Sequence, residues 1–330
     1  MLSTTQEAQE YRKNFHQYYY NKIVGHLASF ENARIPARFF YNLCIGMIVV
    51  SVIAGIFVFN YYRQTLPYEV FFGPMGQSHS HGVADIIIYG TCGAISLFWW
   101  IAHKVRKNFE NKVKNGILRA FLAFFGDFSW SCKDSISRKE ISESGLIGHF
   151  DELKSDDYFE GTHRGLNVVI SENQLIRGRG KNREVVFDGL FVKFDITKKF
   201  STHTVIREDG PFGNFIKPDM RMEEVQLEDV EFNKQFNVYA YDQTEARFLI
   251  TTAFIERFKN LREVYKAKDI RASFKDGALT IAINCRKDMF KLGDVNKPVA
   301  DTGEFQVLFE EFVAVLSLVE LLKLDSKTGL

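Results

Sequence analysis

The residues of this chain whose chemistry could act on another molecule are few and scattered. His79-Ser80-His81 brings two imidazoles together, with Met75 as a weak third donor, which falls short of the ligand set a transition metal asks for. A polar loop is the simpler reading. Gly178-Arg179-Gly180-Lys181-Asn182-Arg183 joins pliable backbone to three cations, as a phosphate-gripping turn would. It lacks both the Lys-Ser/Thr ending of a P-loop and the G-x-G-x-x-G spacing, so it reads as a basic hairpin loop, with lipid headgroups as the alternative contact. Asp151, Glu152, Asp156, Asp157 and Glu160 include the carboxylate pairs that acid–base hydrolysis needs, but they stand in a polar, loop-like stretch and read as a solvated face. There is no G-x-S-x-G, and Cys44, Cys92, Cys132 and Cys285 show neither C-x-x-C nor paired Cys/His spacing. No catalytic residue, metal or cofactor is expected from these patterns. Distant residues that converge on folding keep an enzyme open as the runner-up.

The elements around these residues are more telling. Phe39–Phe59 is a run of 21 residues without Asp, Glu, Lys or Arg, and Ile86–Ala102 is a second of 17. At a rise of about 1.5 Å per residue the first reaches about 32 Å, enough to cross a hydrocarbon core of roughly 30 Å. Aromatic residues crowd the ends of both runs (Phe39, Phe40, Tyr61, Tyr62, Trp99 and Trp100), as they do at membrane interfaces. Small residues at four-residue spacing, Ser51 and Gly55 in one run and Gly90 and Ala94 in the other, predict two helices packed as a hairpin.

Charge sets the orientation. Lys104, Arg106, Lys107, Lys112, Lys114 and Arg119 follow the second run, Arg34 and Arg38 precede the first, and Arg63 is the sole Lys or Arg between Asn60 and Asp85. Cytoplasmic loops carry the excess of Lys and Arg, so both termini are expected in the cytoplasm, with a short loop outside. Lys104, Arg106, Lys107, Lys112 and Lys114 form a basic collar suited to lipid headgroups. The stretch 151–250 carries 14 basic and 19 acidic residues, which does not suit nucleic acid.

The remaining chain predicts a folded domain. Tyr11, Phe15, Tyr18 or Tyr19, Ile23 and Leu27 mark an amphipathic helix over Gln6–Ser29, ended by a turn at Glu31–Pro36. Val105–Phe125 continues helically, with Phe109, Val113, Ile117, Phe121 and Phe124 at steps of four and three. Ser137 and Glu140 read as a capping box. Strands are expected at Leu166–Ile170, Val185–Phe194, His203–Ile206, Val225–Val230 and Phe236–Tyr241. Asp242 opens a helix that restarts at Thr251 or Thr252. Asp276-Gly277 signals a hairpin between Ile270–Phe274 and Ala278–Ile283, and Asp301-Thr302-Gly303-Glu304 caps a last apolar helix to about Lys323. The fold class is α+β: a two-helix transmembrane hairpin, then a domain with a mainly antiparallel sheet and packed helices. The expected divisions are 1–38 (amphipathic helix), 39–103 (hairpin), 104–150 (basic linker helix and connector) and 151–330 (soluble domain).

Several stretches carry a resemblance. ISESGL (Ile141–Leu146), DDYFEG (Asp156–Gly161), VVFDGLFVKFDITKKF (Val185–Phe200), THTVI (Thr202–Ile206), VQLEDVEFNKQFNVYAYDQTEARFLITTAFIERF (Val225–Phe258) and SFKDGALTIAI (Ser273–Ile283) follow in order. Over about Phe109 to Leu324 the chain resembles an uncharacterised bacterial family, the domain of unknown function 3137. The resemblance implies N-terminal membrane spans and a LemA-type membrane protein encoded nearby, and it supplies no reaction and no catalytic residues. The resulting expectation is a membrane-tethered interaction or regulatory module with the lipid bilayer and a protein as partners; a membrane-bound hydrolase and a headgroup-binding domain are the alternatives.

Overall fold

The computed structural model describes residues 6–73, 82–132, 134–196, 200–208, 218–286, 289–299 and 302–321. The helices are α1 (Gln6–Tyr18), α2 (Val24–Thr65), α3 (Tyr68–Phe72), α4 (Val83–Leu122), α5 (Arg138–Glu143), α6 (Val230–Gln235), α7 (Gln243–Leu249), α8 (Thr252–Tyr265) and α9 (Thr302–Leu321). The strands are β1 (Ser129–Ser131), β2 (Glu152–His163), β3 (Leu166–Arg177), β4 (Glu184–Asp195), β5 (Thr204–Glu208), β6 (Glu223–Glu224), β7 (Phe236–Ala240), β8 (Asp269–Lys275) and β9 (Ala278–Asn284). The fold is α+β. The chain divides into a sheet unit (Met1–Ile23, Leu118–Lys291 and Gly303–Leu330) and a hairpin unit (Val24–Ile117 and Leu292–Thr302). These bounds differ from the expected 1–38, 39–103, 104–150 and 151–330: the first 23 residues join the C-terminal fold, and a C-terminal segment joins the hairpin.

In the sheet unit the strands run in the order β1-β2-β3-β4-β9-β8-β5-β7-β6, and every pairing is antiparallel. Asp276 and Gly277 both take positive φ (52° and 75°), the conformation a two-residue type I′ turn demands, and they place Lys275 opposite Ala278 as the sequence signal predicts. The sheet is buried on both faces. Phe191, paired with Ala282, joins Ile141, Leu146, Phe187 and Val205 in one core. Leu190 and Val192 alternate to the other face and are equally enclosed.

Aromatic packing dominates a second core. Phe15 of α1 stacks on Phe309 of α9 with centroids 4.1 Å apart and meets Phe121 of α4 edge-on at 5.8 Å. Phe312 of α9 lies 4.8 Å from Phe125 and 5.5 Å from Phe159 of β2. The apolar stripe of α1 advances by four residues per step (Tyr11, Phe15, Tyr19, Ile23), which outruns a 3.6-residue helix. A π-helical turn at Tyr19–Ile23 takes up the extra residue, and Phe15, Tyr19 and Ile23 are all buried.

Three local expectations change. The helix does not stop at Glu31–Pro36: α2 runs through Pro36, whose missing N–H costs one helical bond. Val225–Val230 is not a strand, because the Asp229 carboxylate accepts from Phe232 N–H and starts α6 instead. The acidic stretch from Glu152 to Glu160 is not a loop but most of β2. The capping boundary at Asp301 lies outside the described residues. The Ser137–Glu140 capping box and the Asp242 cap form as their spacing predicts, and α8 restarts at Thr252.

In the hairpin unit, α2 and α4 are each long and apolar enough to cross a membrane, and only 6% of each one's most apolar window is buried. A Cβ added at Gly55 of α2 would sit 2.6 Å from Thr91 Oγ1 of α4, so glycine permits that approach. The described residues 292–299 form a strap within this unit. Arg34 Nη1 donates to Val295 O (3.3 Å), and Val299 N–H donates to Glu31 (2.9 Å), which also holds Arg34 in a bidentate pair.

Candidate functional site

The sheet unit has a polar cleft of about 130 Å³ above the central strands β4, β9 and β8, walled by α5. The alternation of β4 and β8 sends Lys193, Asp195, Ser273 and Lys275 toward it, and Ile136, Ile141 and Phe191 line its apolar side. Lys193 Nζ pairs with Glu140 at 3.0 Å, and Lys275 Nζ pairs with Glu143 at 3.4 Å. Both lysines are therefore paired, while the four carboxylates of the lining, Glu140, Glu143, Asp195 and Asp276, outnumber them. The cleft is well below the roughly 300 Å³ at which pockets for drug-sized ligands begin.

Beside the cleft, His203 Nε2 lies 2.9 Å from Ser273 Oγ, a spacing that invites comparison with a nucleophile and its base. The same nitrogen lies 3.1 Å from Ser144 O. A carbonyl only accepts, so Nε2 carries the proton and donates it, and Ser273 Oγ has no base there. His203 instead works with two arginines. Arg207 Nε donates to Gly145 O at 3.0 Å, and Arg271 Nη1 donates to Leu146 O at 3.0 Å. Three successive carbonyls, at the C-cap of α5 and just after it, are thus held by His203, immediately before β5, by Arg207 of β5 and by Arg271 of β8. Burial, and secondly the nearby Arg271, lower the Arg207 pKa to about 10. Burial also lowers that of His203.

A second enclosed polar group is the Tyr265 hydroxyl at the end of α8. Burial raises its pKa well above the ordinary tyrosine value, and the nearby Cys285 and Glu311 act in the same direction. Glu311 is engaged by Phe290 N–H (2.8 Å) and Glu172 by Met289 N–H (2.8 Å), so these two carboxylates fix the backbone after β9. Among the described residues no group of three or more His, Cys, Asp or Glu side chains is placed to hold a metal.

The carboxylates Asp151, Glu152, Asp157 and Glu160 do not converge. Asp151 accepts from Gly178 N–H (2.7 Å), Glu152 from Arg183 (3.0 Å), Asp157 from Trp130 Nε1 (2.7 Å) and Glu160 from the Tyr158 hydroxyl (3.1 Å). Burial, with Glu160 second, pushes the Tyr158 pKa up to about 12. Gly178–Arg183 is the connection of the β3–β4 hairpin. His79, His81 and Met75 lie outside the described residues.

Of the helix-packing residues, Gly55 faces the other helix, but its neighbour there is Thr91. Gly90 is exposed, with nothing within 4 Å of an added Cβ, because it is turned about 100° from Thr91 around α4. Ala94 is half-buried, and Ser51 donates to Met47 O of its own helix. In the collar, Lys104, Arg106 and Lys112 are exposed and Lys107 is half-buried. Lys114 is not available to headgroups: it is 1% exposed, with Nζ 3.6 Å from Glu110 one turn back, on the face of α4 that buries Val113 and Ile117. The carbonyl clamp of His203, Arg207 and Arg271 had no signal in the sequence beyond unexplained cations in strands.

Residues 185–324 match the family described as Protein of unknown function (DUF3137). The resemblance read from the sequence is borne out over that stretch. No curated protein matches the chain. Among solved structures, the crystal structure of the mycobacterial trehalose monomycolate transport factor A, TtfA, is similar at 10% identity with a TM-score of 0.30, covering 59% of this chain and 88% of that one.

Proposed function

We propose that this chain, whose residues 185–324 belong to the DUF3137 family, is a membrane-anchored interaction or regulatory protein. Its sheet unit faces the cytoplasm and binds a protein partner, while α2 and α4 cross a bacterial inner membrane. One observation carries the reading. The described residues before Val24 fold into one unit with those of 118–291 and of 303 onward, and between Ile23 and Leu118 the chain leaves that unit for two long apolar helices. Tyr18 of α1 donates its hydroxyl to Ala120 O near the end of α4 (2.8 Å), so the departing and returning chain meet inside that unit. Segments that share a core lie on one side of a bilayer, which supports two crossings, and the Lys and Arg flanking the spans support the cytoplasm as that side. The exposed apolar faces of the two helices support a hydrocarbon surround, since such a surface in water would be an aggregation liability.

The cleft supports an interaction role over catalysis because both of its lysines are paired with carboxylates and the histidine beside it is committed to a carbonyl. A LemA-type membrane protein, implied by the family resemblance, is the proposed partner. The test has two parts on the full chain in native membranes. A membrane-impermeant thiol reagent applied to intact spheroplasts should label a cysteine placed at Ser78 and leave Cys132 unlabelled until the membrane is opened; labelling of Cys132 from outside would invert the topology. Cross-linking in the membrane should then recover the same partner protein in repeated experiments. Recovery of none would remove the interaction reading.

A further inference from the structure

We propose that the turn of α4 around Trp99–Lys107 is a binding surface for anionic phospholipid headgroups, an inference that rests on the membrane reading above and sharpens it to a lipid class. The helix is unbroken from Val83 to Leu122, so residues four and seven apart share a face. Trp99, His103 and Arg106 form one stripe. Trp100, Lys104 and Lys107 form its neighbour. Trp99 and Trp100 are 65% and 57% exposed, and His103, Lys104 and Arg106 are exposed with them. The face beside the first stripe is committed to packing, with Ala102 and Phe109 buried.

Each stripe has the same order: an indole, then a cationic or titratable group one turn later, displaced by about 6 Å along the axis. Indoles favour the interfacial level of a bilayer, and a cation one turn beyond reaches phosphate depth. The Lys104 ammonium lies 5.0 Å from the Trp100 ring centroid, which holds the charge against the aromatic level. Arg38, followed by the exposed Phe39 and Phe40, repeats the pairing of cation and aromatic where α2 begins its apolar run.

No Asp or Glu occurs from Ile86 to Asn108, and the first acid beyond, Glu110, is buried beside Lys114. Negative charge for the exposed Lys104 and Arg106 therefore has no source on these turns of α4. Because both stripes continue into apolar and indole surface, the complementary ligand is an anion with a contiguous apolar body. A phospholipid has that form and a soluble phosphate does not.

The test uses the full chain in vesicles and its own fluorescence. It has three tryptophans, of which Trp130 lies in β1 of the sheet unit. Lipids brominated on the acyl chain near the headgroup quench indoles at the interface. Brominated phosphatidylglycerol is expected to quench more strongly than brominated phosphatidylcholine. Lys104→Gln and Arg106→Gln should each lower that preference by about fivefold, the equivalent of about 1 kcal/mol per cation. Lys139→Gln, at an exposed lysine of the sheet unit outside the collar, should leave the preference unchanged. Equal quenching by the two lipids in the unaltered protein would overturn the headgroup surface while leaving the anchor intact. Quenching by neither would overturn the membrane reading itself. Relief of the anionic preference by soluble glycerol phosphate would also overturn the proposal, by making the surface a soluble-anion site.

Discussion

The guanidinium of Arg12 grips the carboxylate of Glu310 with Nε and Nη2 at 2.8 and 2.7 Å, across 298 residues of sequence. The pair fastens α1 to α9 at the margin of the aromatic core built by Phe15, Phe121 and Phe309. Both side chains are partly shielded (28% and 13% exposed), so solvent screening reduces the attraction without cancelling it.

Arg12→Ala and Glu310→Ala should each destabilise the sheet unit by about 1–2 kcal/mol, the range for a bidentate charge-assisted pair at partial burial. A double-mutant cycle on chemical unfolding of the full protein in detergent should return most of that as coupling energy. Independent, additive losses would show that α1 is held by its aromatic face alone.

How much of this was legible depends on the range of the signal. Asp276-Gly277, the Ser137–Glu140 box and the Asp242 cap are local, because a turn or a cap is chosen by neighbours within four residues. The stripe Tyr11–Phe15–Tyr19–Ile23 announces that α1 packs, but not on what: its partners Phe305 and Phe309 are almost 300 residues away. Strand β2 was hidden because Asp156, Asp157 and Glu160 interrupt its apolar alternation. Asp157 is tolerated in a buried position because Trp130 Nε1, from a neighbouring strand, hydrogen-bonds it. Lys114 escapes a reading from sequence for the same reason. A lysine in a basic run looks solvated until the fold places Glu110 beside it and encloses both.

Within the hairpin, Gly55 and Gly90 make opposite predictions. A side chain at Gly55 meets Thr91 within van der Waals distance, whereas one at Gly90 meets nothing. Gly55→Leu should cost about 1–3 kcal/mol through overpacking, seen as a lower Tm of the detergent-solubilised protein, and Gly90→Leu should leave the Tm within error. The reverse order would mean that the helices meet on the Gly90 face.

The strap offers a residue-specific test. Val299 N–H has Glu31 as its acceptor, so Glu31→Ala should accelerate hydrogen exchange at that amide by about tenfold, matching the loss of about 1.4 kcal/mol from one charge-assisted bond. Glu31→Gln keeps a carbonyl acceptor and should preserve most of the protection. Unchanged exchange in Glu31→Ala would place the anchorage of the strap in Leu292, Val295 and Val299, whose side chains are buried.

His203 predicts an acid limb in stability. Burial holds its folded pKa below the ordinary value of 6.5, against the weaker opposing pull of the Ser144 carbonyl. The unfolded chain therefore takes up the proton first as pH falls, and stability rises with pH across the interval. The contribution is fully present above pH 6.5 and is lost progressively as pH drops toward the folded pKa. His203→Gln retains an N–H that can reach Ser144 O but does not titrate. The difference in unfolding free energy between the unaltered protein and His203→Gln, measured from pH 7.5 to 5, should shift steadily toward the glutamine variant as pH falls. Subtracting the two curves cancels the remaining histidines. A difference that stays flat across this range would mean that the imidazole is as easily protonated in the fold as out of it, and that the clamp on the α5 terminus depends on Arg207 and Arg271 alone.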